Sequence, residues 1–195
     1  MYVKEDVVPR ASAADAALTA DSILRAATDA FAEAGYQRAS VGQIAGAAGV
    51  TRGAVHHHFS DKLGLFQAVV RAGHERVAAA IVARASTQSA DPRAALRAGC
   101  HAFVDAITGD AAARILLVEG PAVLGWSTWR ALDASTSMKE LQEAVQEVTD
   151  GDALALTRLL SGAMNEGVLW LIETPENADA RASVHRALDR LIDAL

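Results

Sequence analysis

The chain has a single cysteine and four prolines, and aromatic side chains make up only 5% of its 195 residues. One cysteine cannot form a disulfide within the chain, and Cys100 lies in an apolar pattern of helical spacing, so we predict a core residue and not a reactive thiol. Few aromatics and a 51% hydrophobic, alanine-rich composition favour helices, because branched and aromatic residues dominate strands. An all-helical protein is expected.

Long apolar runs are missing as well. No stretch of about 18 apolar residues occurs, and residues 1–17 carry charges without the apolar centre of a signal peptide. These absences predict a cytoplasmic protein with no membrane partner. The length suits one sizeable core, or a small module packed on a larger one.

Negative charge is missing from one part of an otherwise acidic chain. The net charge of -6 argues against a protein that coats nucleic acid over its whole surface. Between Ala34 and Ser60, however, there is no Asp or Glu, while Arg38 and Arg52 are present and Lys62 follows. Such a window is what a local phosphate-binding surface requires.

The first 35 residues are predicted to form an arm and a helix. Residues 1–17 lack periodicity and contain Pro9, so they are expected to be a flexible arm. From Thr19 onward, apolar residues recur on one helical face until Gly35, a residue type that commonly ends helices.

Two short helices with a tight turn between them are predicted next. Ser40 and Gln43 form a capping-box pair that starts a second helix, which ends at Gly49. Thr51 supplies an N-cap hydroxyl for a third helix that ends at His58. This arrangement, a helix followed by a glycine-containing turn and a second short helix, is the geometry that places the second helix in the major groove of DNA. The spacing alone is weak evidence, because helical hairpins with a glycine turn are common.

Six further helical segments are predicted downstream. They cover Asp61 to Ala85, a helix starting at Asp91-Pro92, Ala111 to Val118, Pro121 to Val148 with a break near Ser135 to Ser137, Leu156 to Leu171 and Val184 to Leu195. Thr174, Pro175 and Glu176 are expected to start the last helix as its N-cap, first-turn proline and first-turn carboxylate.

Several stretches near the N-terminus are typical of one family. They are ILRAA at 23–27, FAEAGY at 31–36, SVGQIA at 40–45, AGVTRGAVHHHFSDK at 48–62 and Leu65-Phe66. Together they closely resemble the N-terminal domain of tetracycline-repressor-like (TetR) family regulators. EGPAVLGW at 119–126 and the terminal helix pair are similar to the ligand-binding and dimerisation domains of such proteins.

The resemblance implies an all-α fold of about nine helices, with a helix-turn-helix DNA-binding domain at 18–62 and a ligand-binding and dimerisation domain at 63–195. It further implies a transcription regulator, a repressor that an unknown small-molecule effector releases from double-stranded, pseudopalindromic operator DNA. The protein would be a homodimer through its last two helices. No enzyme activity, catalytic residue, metal or cofactor is expected.

The resemblance also assigns individual DNA contacts. Thr51 would cap the recognition helix and meet a phosphate, and Arg52 would face base edges. Tyrosine usually stands where this chain has His56, and some relatives have a base-reading arginine in place of Gly42, so base readout falls more on Arg52. The implied DNA-binding residues are Ser40, Gln43, Thr51, Arg52, Gly53, Ala54, His56, His57, His58 and Lys62.

Two local patterns allow competing interpretations. Three consecutive histidines suggest a metal site, but neighbouring residues on a helix point about 100° apart and cannot converge on one ion. An effector cavity implied by the resemblance is expected to be lined by Phe103, Ile107, Leu117, Trp126, Trp129, Met164 and Trp170, although packing in the core is the favoured interpretation for any one of them taken alone.

Two other classes of function stay open. One is a helical small-molecule-binding protein, or an enzyme, that retains the N-terminal module as a scaffold. The absence of an acid–base pair at catalytic spacing makes this the weaker alternative. The other is an activator in place of a repressor, and it would use every residue named above.

Overall fold

The structure, a computed structural model, describes residues 13–87, 91–108 and 112–195. These ranges contain ten α-helices and a π-helical segment and no strand, which confirms the all-α class. Residues 1–12 of the predicted arm lie outside the described ranges. Residues 13–17, which were predicted to belong to the arm, form the start of the first helix.

The helices follow one another with short connections. They are α1 (Ala13–Arg38), α2 (Val41–Ala47), α3 (Arg52–Phe59), α4 (Lys62–Ala85), α5 (Pro92–Thr108), the π-helical segment (Arg114–Glu119), α6 (Gly120–Leu124), α7 (Trp126–Ala134), α8 (Ser137–Gln146), α9 (Ala153–Glu173) and α10 (Ala180–Asp193). The chain divides into two compact units, and the division falls inside α4, between Leu65 and Phe66.

The first unit is a small bundle formed by α1, α2 and α3. Gly35 has a φ of 76°, a value that favours glycine, and it breaks the helical geometry of α1 where the sequence predicted an end. The core of this bundle uses apolar side chains from all three helices, namely Ile23, Ala27, Phe31, Ile44, Ala45 and Val55. Because α2 and α3 are short and bury only one face each, their other faces are exposed to solvent.

The second unit differs from prediction just after residue 113. The helix predicted from Ala111 to Val118 is π-helical from Arg114 to Glu119, and the N–H of Gly120 donates to the carbonyl of Ile115. In an α-helix that N–H would donate to Leu116. The carbonyl of Leu116 instead accepts a 2.6 Å hydrogen bond from the indole Nε1–H of Trp129. A tertiary contact therefore takes the acceptor that α-helical geometry needs.

The start of the last helix was also predicted wrongly. α10 begins at Ala180 and not after Thr174. The hydroxyl of Thr174 donates to the carbonyl of Trp170 at 2.8 Å, and its N–H donates to the same carbonyl at 3.1 Å. Thr174 thus ends α9, and a turn closed by the N–H of Asn177 and the carbonyl of Thr174 follows.

The predicted break near Ser135 to Ser137 is confirmed, because α7 ends at Ala134 and α8 begins at Ser137. Asp133 fixes this corner by accepting a 3.0 Å hydrogen bond from the hydroxyl of Ser137. Among the described residues, no helix is both long and apolar enough to cross a lipid bilayer.

Candidate functional site

The helix predicted to recognise DNA, α3, is exposed along most of its length. The side-chain oxygen of Thr51 accepts a 3.1 Å hydrogen bond from the N–H of Ala54, which is the predicted N-cap. Val55 is 1% exposed and anchors the helix. Thr51, Arg52 and Gly53 are exposed, so the first turn of α3 presents its side chains to solvent.

The turn before α3 has the geometry that the sequence predicted. Gly49 adopts a φ of 69°. The N–H of Val50 donates to the carbonyl of Ala45 at 2.9 Å, which ties the turn to α2. Ser40 accepts a 3.2 Å hydrogen bond from the N–H of Gln43, and both residues are exposed. Val50 itself is half-buried.

Arg52 lies against α2, over Gly42. A Cβ atom added to Gly42 would stand 2.3 Å from Nη2 of Arg52 and 2.6 Å from its Nε. The guanidinium group therefore occupies the volume that a larger residue at position 42 would need. The sequence signalled Gly42 only as the loss of a base-reading side chain and gave no sign of this packing.

The three histidines point in different directions. Nδ1 of His56 lies 2.7 Å from the carbonyl oxygen of Ser60, which can only accept, so this nitrogen carries the proton. The rings of His57 and His58 meet edge to face at 5.4 Å. His56 and His57 are exposed and His58 is half-buried. No group of three or more metal-ligating side chains forms a metal site within the described ranges.

Lys62 is engaged within the first unit. Its Nζ donates to the carbonyl of Gln37 at 3.2 Å and lies 4.6 Å from the centre of the Tyr36 ring. An ammonium group has three donors, so Lys62 keeps hydrogen-bonding capacity beyond this contact. The exposed cations Arg38 and Arg52 complete a surface without acidic residues between positions 34 and 60.

The second unit contains a cavity of about 230 Å³. Its walls come from the C-terminal half of α4 and from α5, α7, α8 and α9. The lining residues are Ile81, Val82, Ala85, Ala95, Leu96, Gly99, Cys100, Phe103, Asp133, Ser137, Met138, Glu140, Leu141, Glu143, Ala144, Glu147, Ser161 and Met164. Of the seven residues predicted to line a cavity, Phe103 and Met164 do so.

The other five predicted residues lie elsewhere. Ile107 and Trp129 are 1% and 3% exposed and belong to the core. Leu117 is half-buried in the π-helical segment, while Trp126 is 67% exposed at the surface. Trp170 lines a groove between α9 and α10. Residue type alone cannot distinguish these environments, because large apolar side chains fill cores and line cavities alike.

The cavity contains residues that the sequence did not indicate as ligand contacts. Cys100, predicted to be a core residue, is 1% exposed, and burial, with a smaller effect of Asp189, raises the pKa of its thiol to about 12. This thiol is therefore neutral at physiological pH. The periodicity of α8 was the only signal that could have identified Glu140, Glu143 and Glu147 as one face of a helix.

A buried polar cluster joins the cavity to α4. Asp133 lines the cavity and accepts a 2.9 Å hydrogen bond from Arg130. Nδ1 of His74, on α4, lies 3.8 Å from Oδ1 of Asp133. Burial lowers the pKa of His74, and the nearby charge of Asp133 opposes this shift. His74 is 4% exposed, and its Nε2 has no hydrogen-bond partner among the residues that the structure describes.

α9 and α10 leave an apolar face uncovered. Leu159, Trp170 and Leu191 are 71%, 39% and 48% exposed, although they are large apolar residues. A Cβ atom at Gly167 would stand 2.8 Å from Cγ1 of Val184, so this glycine allows the two helices to approach each other within the chain. Gly162 has nothing within 4 Å of its added Cβ atom and faces open space.

Ion pairs fix α10 to α5 on the opposite side of this hairpin. Nε of Arg97 lies 3.1 Å from Asp189, and Nη1 of Arg181 lies 2.8 Å from Asp105. His101 contributes a 2.8 Å contact between its Nε2 and the same Asp189. Because Asp189 and Leu191 are two residues apart on α10, they point in nearly opposite directions, so the exposed Leu191 faces away from these pairs.

Each of the two units is similar to a known family of protein domains. The family described as bacterial regulatory proteins, tetR family, matches residues 23–69. A second family, the tetracyclin repressor-like C-terminal domain, matches residues 93–195. The HTH-type transcriptional repressor BepR of Brucella suis is 46% identical over 61 residues, which are 31% of this chain and 29% of BepR. The chain spans between 29% and 60% of the lengths of four such relatives.

Solved structures extend the similarity to the whole fold. A TetR-family transcriptional regulator from Pectobacterium atrosepticum is 28% identical to this chain and superposes with a TM-score of 0.73. The superposition covers 94% of this chain and 97% of the Pectobacterium chain. FadR from Bacillus subtilis, solved in complex with stearoyl-CoA, is 19% identical with a TM-score of 0.75 and covers 90% of this chain and 98% of its own. The resemblance stated from the sequence is confirmed, and the chain belongs to the TetR family of bacterial regulatory proteins.

Proposed function

We propose that this protein is a sequence-specific DNA-binding transcription regulator, a homodimeric repressor that a small-molecule effector releases from its operator. The observation that carries the proposal is the exposed first turn of α3, capped by Thr51 and carrying Arg52, within a stretch of sequence, residues 34–60, that contains no Asp or Glu. BepR, which is similar over the same segment, is named as a repressor. Regulation and not catalysis is the function proposed.

The proposed DNA contacts follow from the exposure of α2 and α3. The N-terminus of α3 would enter the major groove, where Arg52 reads base edges and Gly53 and Ala54 allow close approach. Ser40 and Gln43 on α2, with Thr51, would contact phosphates. His56 and His57 are exposed at the end of α3, and Lys62 and His58 complete the proposed set.

The proposed dimer uses the uncovered face of α9 and α10. Leu159, Trp170 and Leu191 would be buried against the same residues of a second copy, as in an isologous four-helix contact. Gly162, which faces open space, would allow close approach of the partner helix. The two recognition helices would then reach successive major grooves, about 34 to 36 Å apart.

For an effector to release the DNA, the effector and the DNA must bind most tightly to different conformations of the protein. The link that we propose is α4, because it begins at Lys62 in the first unit and carries His74 beside Asp133 of the cavity. A coupling of about 1 to 3 kcal/mol is typical of such linked sites. Ligand binding that moves Asp133 would shift α4 and disturb the operator geometry.

A mobility-shift assay with DNA from upstream of the protein's own gene tests DNA binding. We expect a complex that tolerates unrelated competitor DNA and weakens with added salt. Arg52→Ala should weaken it by about 1 to 3 kcal/mol per half-site and relax the preference at one base pair. No sequence-specific complex on any such fragment would contradict the proposal, and a reporter assay decides between repression and activation.

The dimer has its own test. Leu159→Glu places a carboxylate in the proposed contact, so we expect a monomer in sedimentation equilibrium and loss of operator binding. Leu154→Glu is the matched control, because Leu154 lies on the same helix, is 50% exposed and faces a different direction. A dimeric Leu159→Glu variant that retains the wild-type dissociation constant would exclude this interface.

A further inference from the structure

The walls of the cavity in the second unit are apolar and uncharged over most of their area. Leu96, Cys100, Phe103, Leu141 and Met164 contribute to them, and the Cys100 thiol is neutral because burial raises its pKa to about 12. A dry cavity of about 150 Å³ is enough to hold benzene. At about 230 Å³, this cavity accommodates one ring with a short chain.

All charged side chains that line this cavity are acidic. Glu140 and Glu143 on α8 and Glu147, the C-cap residue directly after it, are exposed at helical spacing, and we call them the mouth glutamates. Asp133 is buried and already paired with Arg130. No lysine, arginine or histidine is among the lining residues within the described ranges.

Two of the mouth glutamates have uncompensated charge. Nζ of Lys139 lies 3.8 Å from Glu143, whereas Glu140 and Glu147 have no ion pair in the part of the chain that the structure describes. Carboxylates at the rim of a low-dielectric cavity produce a negative potential at its entrance, which solvent screens only in part because the apolar wall lies on one side of them. A carboxylate or phosphate on a ligand would be repelled there.

The interior supplies a hydroxyl group without a hydrogen-bond partner among the described residues. Ser161 on α9 is 5% exposed and lines the cavity. The nearby Thr157 donates from its hydroxyl to the carbonyl of Ala153 at 2.6 Å, but Ser161 makes no such hydrogen bond within the described ranges. Its hydroxyl is therefore free to meet a polar group of a ligand.

We propose that the effector is an organic cation with an apolar body, such as a protonated amine or a quaternary ammonium compound. The body would lie between α5 and α9, and the positive charge would lie among the mouth glutamates. This inference rests on the proposed function, since it assigns a chemical class to the effector of that function.

Three compounds with the same body and different charges test the proposal: phenylbutylamine, phenylbutanol and phenylbutanoate. Binding to the DNA-free protein is measured by calorimetry at neutral pH. We expect the amine to bind about fivefold more tightly than the alcohol, the size that exposed ion pairs of this kind supply, and the carboxylate to bind most weakly.

Variants show whether the mouth glutamates cause the preference. Glu140→Gln with Glu147→Gln should reduce the affinity for the amine to that for the alcohol and leave the alcohol unchanged, which also shows that the cavity is intact. Glu75→Gln with Glu176→Gln is the matched control, because it removes the same charge from exposed positions outside the cavity lining.

The proposal is overturned if none of the three compounds binds, if all bind equally, if the carboxylate binds best, or if the double variant keeps its preference for the amine. A separate mobility-shift measurement distinguishes failure of this proposal from failure of the proposed DNA-binding function. Operator binding without any preference for the amine refutes the ligand class alone, whereas tight amine binding without any operator complex refutes the DNA-binding function.

Discussion

Gly42 and Arg52 show how one small residue can decide where a functional side chain lies. The guanidinium group occupies the space that a side chain at position 42 would fill, with a distance of 2.3 Å from the added Cβ atom to Nη2. Because the arginine is long and flexible, a larger residue at position 42 would displace it without disturbing the backbone. The contact therefore matters for DNA recognition more than for folding.

Gly42→Ala is expected to leave the melting temperature equal or higher, since alanine is the better helix former, and to weaken operator binding. The loss should approach that of Arg52→Ala, about 1 to 3 kcal/mol per half-site. Operator titrations and thermal melts measure the two effects. Gly46→Ala on the same helix is the control, because its Cβ atom would meet nothing within 4 Å. Wild-type affinity of Gly42→Ala would show that the contact is not used on DNA.

His74 should make stability depend on pH. Its pKa is lowered in the folded state below the usual 6.5, because burial disfavours the cation. The folded protein therefore binds fewer protons than the unfolded chain below that value, and stability is lost as the pH falls from 6.5 through the folded-state pKa. The largest slope that one such group can cause is about 1.4 kcal/mol per pH unit.

Denaturant unfolding of the wild type and of His74→Gln at several pH values tests this expectation. The free energy of unfolding of the wild type should fall more steeply below pH 6.5 than that of the variant. His57→Gln, at an exposed position, should retain the steep wild-type profile. Identical slopes for the wild type and His74→Gln would contradict the role of burial.

At the scale of helices, α3 depends on a single cap. Thr51 accepts from Ala54 at 3.1 Å, and the proposed function adds a phosphate contact to the same side chain. These two roles can be separated by chemistry, because aspartate caps helices as well as threonine does but carries a negative charge.

Thr51→Asp should retain the wild-type stability and lose most operator binding, since its carboxylate would face phosphates. Thr51→Ala should lower the stability by about 1 kcal/mol through loss of the cap. Thermal melts and mobility shifts on both variants provide the comparison. Full operator binding by Thr51→Asp would remove Thr51 from the proposed phosphate contacts and leave it a structural cap.

Helix boundaries in the second unit were set by contacts that local sequence does not contain. Trp129 takes the carbonyl of Leu116 and makes that turn π-helical. Thr174 has the sequence context of an N-cap but closes the preceding helix by bonding to Trp170. In both cases a hydrogen-bonding group could bond to either of two partners, and the packing of the helices determined which one it bonds.

For the whole molecule, the distribution of charge should determine how DNA binding responds to salt. The chain carries -6 overall, yet Arg38, Arg52 and Lys62 lie in or next to its acid-free segment. Arg38 and Lys62 of two copies bring four cations to phosphates, and log K falls by about 0.9 per phosphate contact for each unit of log salt, which predicts a slope of about -4. The acidic remainder should keep non-specific binding weak.

Arg38→Gln should reduce the steepness of that slope by about 2 for a dimer, because one contact is lost in each subunit. Operator titrations over a range of salt concentrations measure it. Arg84→Gln, an exposed arginine of the second unit, should leave the slope unchanged. A slope near zero for the wild type would mean that these cations do not meet phosphates.

The sequence by itself determined the class of fold, the three N-terminal helices with their caps at Ser40 and Thr51, and the family. These features depend on residues within a few positions of one another, such as a hydroxyl three residues before an N–H or a glycine that permits a positive φ. Interactions between residues so close in the chain can be predicted from the sequence alone.

Only the tertiary structure decided what lines the cavity, where Arg52 lies and which histidine is buried. Trp129 and Phe103 have similar helical surroundings in sequence, yet one packs in the core and the other faces the cavity. Burial and charge at a given site come from side chains on separate helices. They are therefore fixed only when the helices pack together, which no local pattern specifies.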